Sequence, residues 1–112
     1  HKEITVKGDV GEMLADHMYG GIIIVKGNSE GKACHSMEGG NVIIKNNSGH
    51  LLGMSMKRGT VHIYGKAGLN TGRNMKGGTI CFHGDYQSIS GDIRGGNIYH
   101  KGQQIVRGGK LL

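Results

Sequence analysis

A ten-residue unit, M-x-G-G-x-I-x-V-x-G, returns along this chain with a period of 19 residues, and that period restricts the fold more than any other feature. Met18, Met37, Met56 and Met75 keep strict register, and Ile93 fills the same slot one residue early. Double glycines follow at Gly20-Gly21, Gly39-Gly40, Gly77-Gly78 and Gly95-Gly96, with Arg58-Gly59 as the variant. Each is succeeded by a short apolar run: IIIVKG, NVIIKN, TVHIYG, TICFHG and NIYHKG. A fixed period of this length marks a solenoid, whose units bury their apolar side only by stacking on one another. An interior so narrow leaves little room for an active site.

Within each unit the side chains sort by alternation along an extended strand, which runs from four to eight residues past the Met slot. Five residues past that slot stand Ile4, Ile23, Val42, Val61, Ile80 and Ile98; seven past it stand Val6, Val25, Ile44, Ile63, Phe82 and His100. These columns are expected to face inward, together with the Met ladder. The column between them, Thr5, Ile24, Ile43, His62, Cys81 and Tyr99, and the next, Lys7, Lys26, Lys45, Tyr64, His83 and Lys101, are expected to face outward. Gly8, Gly27, Asn46, Gly65, Gly84 and Gly102 then read as a left-handed corner, because glycine and asparagine tolerate positive φ. A small-residue column, Ala15, Cys34, Gly53, Gly72 and Ser90, marks a second corner.

The expected fold is therefore all-β: a single-stranded right-handed parallel β-helix of about six coils, each of 18–19 residues, forming one domain over 1–112. Coils begin near residues 18, 37, 56, 75 and 93, and the irregular segment 103–112, with its shortened copy IVRGGKLL, reads as a cap. The 23 glycines argue against disorder because they fall at fixed offsets among periodic Ile and Val. Two cysteines at different offsets need not meet, which fits a reduced, cytoplasmic setting. No apolar stretch approaches the roughly 20 residues that cross a bilayer. The net charge of +6 contains no Lys/Arg run beyond two residues, so polybasic nucleic-acid arms are not expected.

The extended pattern G-x-x-G-x-x-x-G-x-x-M-x-G-G-x-I-x-V-x-G, clearest in Gly65–Gly84 and Asn46–Gly65, resembles the GXGXG repeat family. That family includes the repeat-bearing subunit of formylmethanofuran dehydrogenase and the C-terminal domain of the glutamate synthase large subunit. Membership implies a right-handed parallel β-helix. Short unbroken coils look more like the former, an archaeal oxidoreductase subunit that docks catalytic subunits of carbon dioxide reduction and holds no cofactor itself. The longer insertions of glutamate synthase are absent, and Asp85-Tyr86-Gln87 only faintly echoes its N-D-Y-x-G-K stretch, so a stand-alone glutamate synthase module is the alternative that the resemblance implies.

Chemistry is sparse. The acids Glu3, Asp9, Glu12, Asp16, Glu30, Glu38, Asp85 and Asp92 read as turn or corner residues, with no two in one inward column. A carboxylate pair for acid/base catalysis is not expected. Gly65-Lys66-Ala67-Gly68 lacks the spacing of a phosphate loop. His62, Cys81 and His83 offer zinc-type donors on the outward face, yet no ligand spacing supports a site, and neither metal nor cofactor is expected. The candidate partner surface comprises Ile24, Ile43, His62, Cys81 and Tyr99, flanked by Lys26, Lys45, Tyr64, His83 and Lys101. The expected partners are catalytic subunits, or further copies associating through this face or the coil ends. A polyanion-binding module using the lysine column is the contrasting expectation.

Overall fold

The computed structural model describes residues 2–112. Six strands, β1 (Glu3–Val6), β2 (Tyr19–Val25), β3 (Glu38–Ile44), β4 (Arg58–Ile63), β5 (Thr79–Phe82) and β6 (Asn97–His100), lie side by side in chain order. Each runs parallel to the next, and like positions of the repeat pair: Ile23 with Val42, Val42 with Val61, Val61 with Ile80, Ile80 with Ile98. The result is a parallel β-solenoid of about five turns. A sixth coil never closes, because the chain reverses after β6.

That reversal gives the irregular segment 103–112 its form. Strands β7 (Gln103–Arg107) and β8 (Lys110–Leu111) form antiparallel ladders, β7 on β6 and β8 on β7. The connecting pairs Lys101-Gly102 and Gly108-Gly109 all have positive φ, the requirement of a tight two-residue hairpin turn. The Gly-Gly of IVRGGKLL is thus a hairpin turn rather than a degraded coil. Val106 from this hairpin is fully buried and closes the core at that end.

The inward assignment holds through the middle of the solenoid. Val25, Val42, Ile44, Val61, Ile63, Ile80, Phe82 and Ile98 are buried in one cluster with Met37, Met56 and Met75. At the ends it weakens: Ile4 on edge strand β1 is 54% exposed, and His100 is half-buried. Strands β2, β3 and β4 also begin earlier than the alternation predicts, so Glu38, like Glu3 in β1, starts a strand rather than occupying a turn. The registers of β2 on β3 and of β3 on β4 shift across the double glycine, between Tyr19 and Ile22 and between Glu38 and Asn41, which lets a bulge join the extra residues to the ladder.

The glycine columns have a different cause from the one expected. Of the column Gly8 to Gly102, only Gly102 has positive φ. Other members lie where backbone stacks on backbone: a Cβ on Gly27 would stand 2.9 Å from the Gly8 carbonyl carbon. Positive φ belongs to the second residue of each Gly-Gly or Arg-Gly pair, at Gly21, Gly40, Gly59, Gly78 and Gly96. In the stacked coils the methionine methyl of the preceding coil presses in there: Cβ atoms on Gly40, Gly59 and Gly78 would come within 2.9, 2.9 and 2.8 Å of Met18, Met37 and Met56 Cε. Met and Gly-Gly recur together because one fills the hollow that the other leaves.

The small-residue corner is left-handed at Ala15, Cys34, Gly53 and Gly72, with φ between 59° and 81°. Residues two before and two after share that conformation, as at Lys32 and Ser36 around Cys34. Such φ values cost non-glycine residues roughly 1–2 kcal/mol each. Inter-coil hydrogen bonds offset the cost: Lys32 N–H donates to His50 O at 2.8 Å, Cys34 N–H to Leu14 O at 2.7 Å, and Ser36 N–H to Met54 O at 2.8 Å. Ser90 lacks the left-handed φ, in the one coil that is a residue short.

Candidate functional site

Strands β2 to β6 present one continuous outward face. Ile24 pairs with Ile43, Ile43 with His62, His62 with Cys81 and Cys81 with Tyr99, so the stripe expected from alternation is physically contiguous. All five are half-buried, shielded by one another and by the exposed column beside them. That column, Lys26, Lys45, Tyr64, His83 and Lys101, is exposed throughout.

The exposed column stacks along itself and is joined to the stripe through His62 and His83. The Tyr64 and His83 rings lie 4.2 Å apart and 7° from parallel, and Lys45 Nζ stands 4.9 Å over the tyrosine ring. His62 Nδ1 meets His83 Nε2 at 2.9 Å, a contact in which one imidazole donates and the other accepts. Partial burial and then the nearby His83 hold the His62 pKa below its ordinary value. Lys101 Nζ reaches Asp85 Oδ1 at 3.2 Å, with His100 Nε2 at 3.6 Å from the same oxygen. Lys101 first, then His100, keep the Asp85 carboxyl below the usual range.

These contacts bear on what the face can do. Burial raises the Cys81 thiol pKa, which suppresses the thiolate a nucleophile or metal ligand needs. Cys34 is sealed in the core with its thiol pushed up to about 12 by burial, and both cysteines are free. His62 and Cys81 are adjacent as the period requires, but His62, Cys81 and His83 do not bring three donor atoms together. What the face offers is a half-buried stripe of Ile24, Ile43, His62, Cys81 and Tyr99 beside the Lys45–Tyr64–His83 stack. A cavity of about 240 Å³ lies between the last turn and the hairpin, lined by Ile89, Ile93, Val106 and Leu111 with Ser90 and glycines. No carboxylate lines it. Among the described residues no helix is long and apolar enough to cross a membrane.

Two features lie outside the sequence expectations. One is a ladder of polar side chains: Asp9 Oδ1 accepts from Asn28 N–H at 2.8 Å, Asn28 Oδ1 from Asn47 N–H at 2.9 Å, and Asn47 Oδ1 from Lys66 N–H at 2.8 Å. The other is a corner cluster, where His35 Nδ1 and His17 Nδ1 lie 2.8 and 3.0 Å from Asp16 Oδ1. Both leave a trace in the sequence as like or complementary residues 19 apart. Neither matches a conventional ligand motif, because each needs a partner from another coil, Asn28 on Asp9 and His35 on Asp16.

Comparison of the chain with protein-family models, with curated proteins and with solved structures found no match.

Proposed function

We propose that this chain is a non-catalytic scaffold, a subunit or domain of a multisubunit oxidoreductase, of the kind represented by the repeat-bearing subunit of formylmethanofuran dehydrogenase. Its partners dock on the outward strand face. The observation that carries this reading is the unbroken stripe from Ile24 to Tyr99, braced by the Lys45–Tyr64–His83 stack. The repeat resemblance supplies the enzyme class, and the stripe supplies the docking role. The polyanion reading draws less support, because Tyr64 and His83 interrupt the lysine column, Lys45 covers an aromatic ring and Lys101 faces Asp85.

Co-expression with the catalytic subunits of a formylmethanofuran dehydrogenase, followed by size-exclusion and affinity measurement, tests the proposal. Stable co-elution is expected, and Ile43→Asp weakens it by about 30-fold or more, the effect of losing an interface hot spot of roughly 2 kcal/mol. Co-elution with glutamate synthase subunits alone would transfer the chain to that lineage. A folded Ile43→Asp protein that binds as tightly as the parent would remove the strand face as the docking site.

A further inference from the structure

We infer that the corner formed by Asp16, His17 and His35 is a binding site for a zinc-type divalent cation, bridging the first two turns of the solenoid. The three side chains each offer one donor atom, and these atoms all lie within 4.8 Å of one another. Asp16 Oδ1 is 2.8 Å from His35 Nδ1 and 3.0 Å from His17 Nδ1. Ligands held tetrahedrally at about 2.0–2.2 Å from a zinc ion stand roughly 3.3–3.6 Å from each other. Modest side-chain adjustments therefore suffice to close the donors around an ion.

The backbone explains why the donors converge. Left-handed φ at Ala15 (59°) and His17 (58°) folds the corner so that consecutive residues Asp16 and His17 share one side. His35 stands one turn further along, 19 residues after Asp16, and His17 N–H donates to the His35 carbonyl at 2.9 Å. The two rings meet edge to face, 78° apart with centroids at 5.7 Å, so they do not stack away the nitrogen edges. Hydrogen bonding from His35, then from His17, holds the Asp16 carboxyl below the usual carboxylate range.

The donor set selects the ion class. Two imidazoles and one carboxylate suit zinc, cobalt or nickel, whereas calcium and magnesium require mostly oxygen. Asp16 and His17 are exposed and His35 is half-buried, which leaves an entry path and open positions for water. On binding, each imidazole carries its remaining proton on Nε2 and turns its Nδ1 lone pair to the metal. The His62–His83 pair competes poorly, with only two nitrogens committed to each other.

Zinc titration of the full chain by calorimetry tests the site, with cobalt spectra as a second readout. One ion per chain is expected, with a cobalt spectrum lacking sulfur charge transfer. Affinity falls by at least about tenfold in both His35→Gln and His17→Gln, the loss of about 1.4 kcal/mol or more. His83→Gln leaves it unchanged. His17→Gln keeps the Asp16–His35 contact, so its far-UV dichroism remains that of the parent. No saturable binding up to about 1 mM zinc, weaker than about 4 kcal/mol, overturns the inference. So does binding that disappears in His83→Gln and persists in His35→Gln.

Discussion

Replacing Gly59 with alanine isolates the reason for the repeat's second glycine. Gly59 has φ of 101°, beyond the small left-handed region that other residues visit. Holding an L-residue there costs on the order of 1–3 kcal/mol. The new Cβ would also stand 2.9 Å from Met37 Cε, 3.0 Å from the Gly40 carbonyl oxygen and 3.1 Å from the Gly39 carbonyl carbon. The methionine tip can turn aside, but the two backbone atoms belong to the neighbouring rung and cannot. Overpacking of this kind adds roughly 1–3 kcal/mol. A loss of about 3 kcal/mol lowers a urea midpoint by roughly 1–3 M at the slopes typical of small domains. Gly20 is the control: nothing lies within 4 Å of its would-be Cβ, and its φ is not left-handed. Gly20→Ala should leave stability within about 0.5 kcal/mol of the parent. Urea unfolding followed by both dichroism and tyrosine fluorescence measures the pair. Equal midpoints for the two variants would refute the backbone argument. Full rescue of Gly59→Ala by Met37→Ala would place the cost in the methionine contact alone.

Ile44→Asp should prevent folding, because it places a carboxylate in the sealed core, whereas Ile43→Asp, one residue away and only half-buried, retains parental dichroism; equal tolerance would reject the facing assignment. A thiol reagent at pH ~8, near the ordinary thiol pKa, should modify Cys81 in the native protein and reach Cys34 only on unfolding, since Cys34 is fully buried with its thiol pushed up to about 12; early labelling of Cys34 would contradict the core. The His62 pKa is lowered on folding from its ordinary value of 6.5, so the unfolded chain takes up that proton first. Stability from this group is complete above pH 6.5 and declines as pH falls through the lower folded value; His62→Gln should flatten the decline in melting temperature, and an unaltered slope would assign it elsewhere. Hydrogen exchange should be fastest in the first turn, where Ile4, Met13 and Tyr19 are exposed, and slowest around β3 and β4; uniform protection would contradict the layered view of stability.

Much of the architecture was legible because the period repeats the same demand at every rung. Val42, Val61, Ile80 and Ile98 must face the core together or not at all, and a 19-residue spacing stacks them without knowledge of the turns. The corners were less legible. Glycine is selected both by positive φ and by close backbone approach, and composition alone does not separate Gly59 from Gly65. The hairpin was hidden for a related reason: Gly108-Gly109 imitates the repeat while serving a turn of opposite sense. On the outward face, the His62–Cys81 adjacency followed from register, but the His62–His83 contact did not. That contact is diagonal and depends on ring rotamers, which the period leaves free.

Stacked left-handed corners bring the members of the corner cluster together. Left-handed residues at Met13, Ala15 and His17 recur one turn later at Lys32, Cys34 and Ser36, and each set draws compensation from bonds to its neighbours. A turn in the middle of the stack receives such bonds from both sides. The first turn receives them from the second, through Met13 N–H to Gly31 O and His17 N–H to His35 O, while Val6 and Val10 remain only partly buried. Asp16 and His17 belong to that turn and His35 to the next, so an ion bound by all three would tie two successive coils together. On the proposed reading, such a site adds to the bonds between those coils, apart from the strand face on which partners would dock.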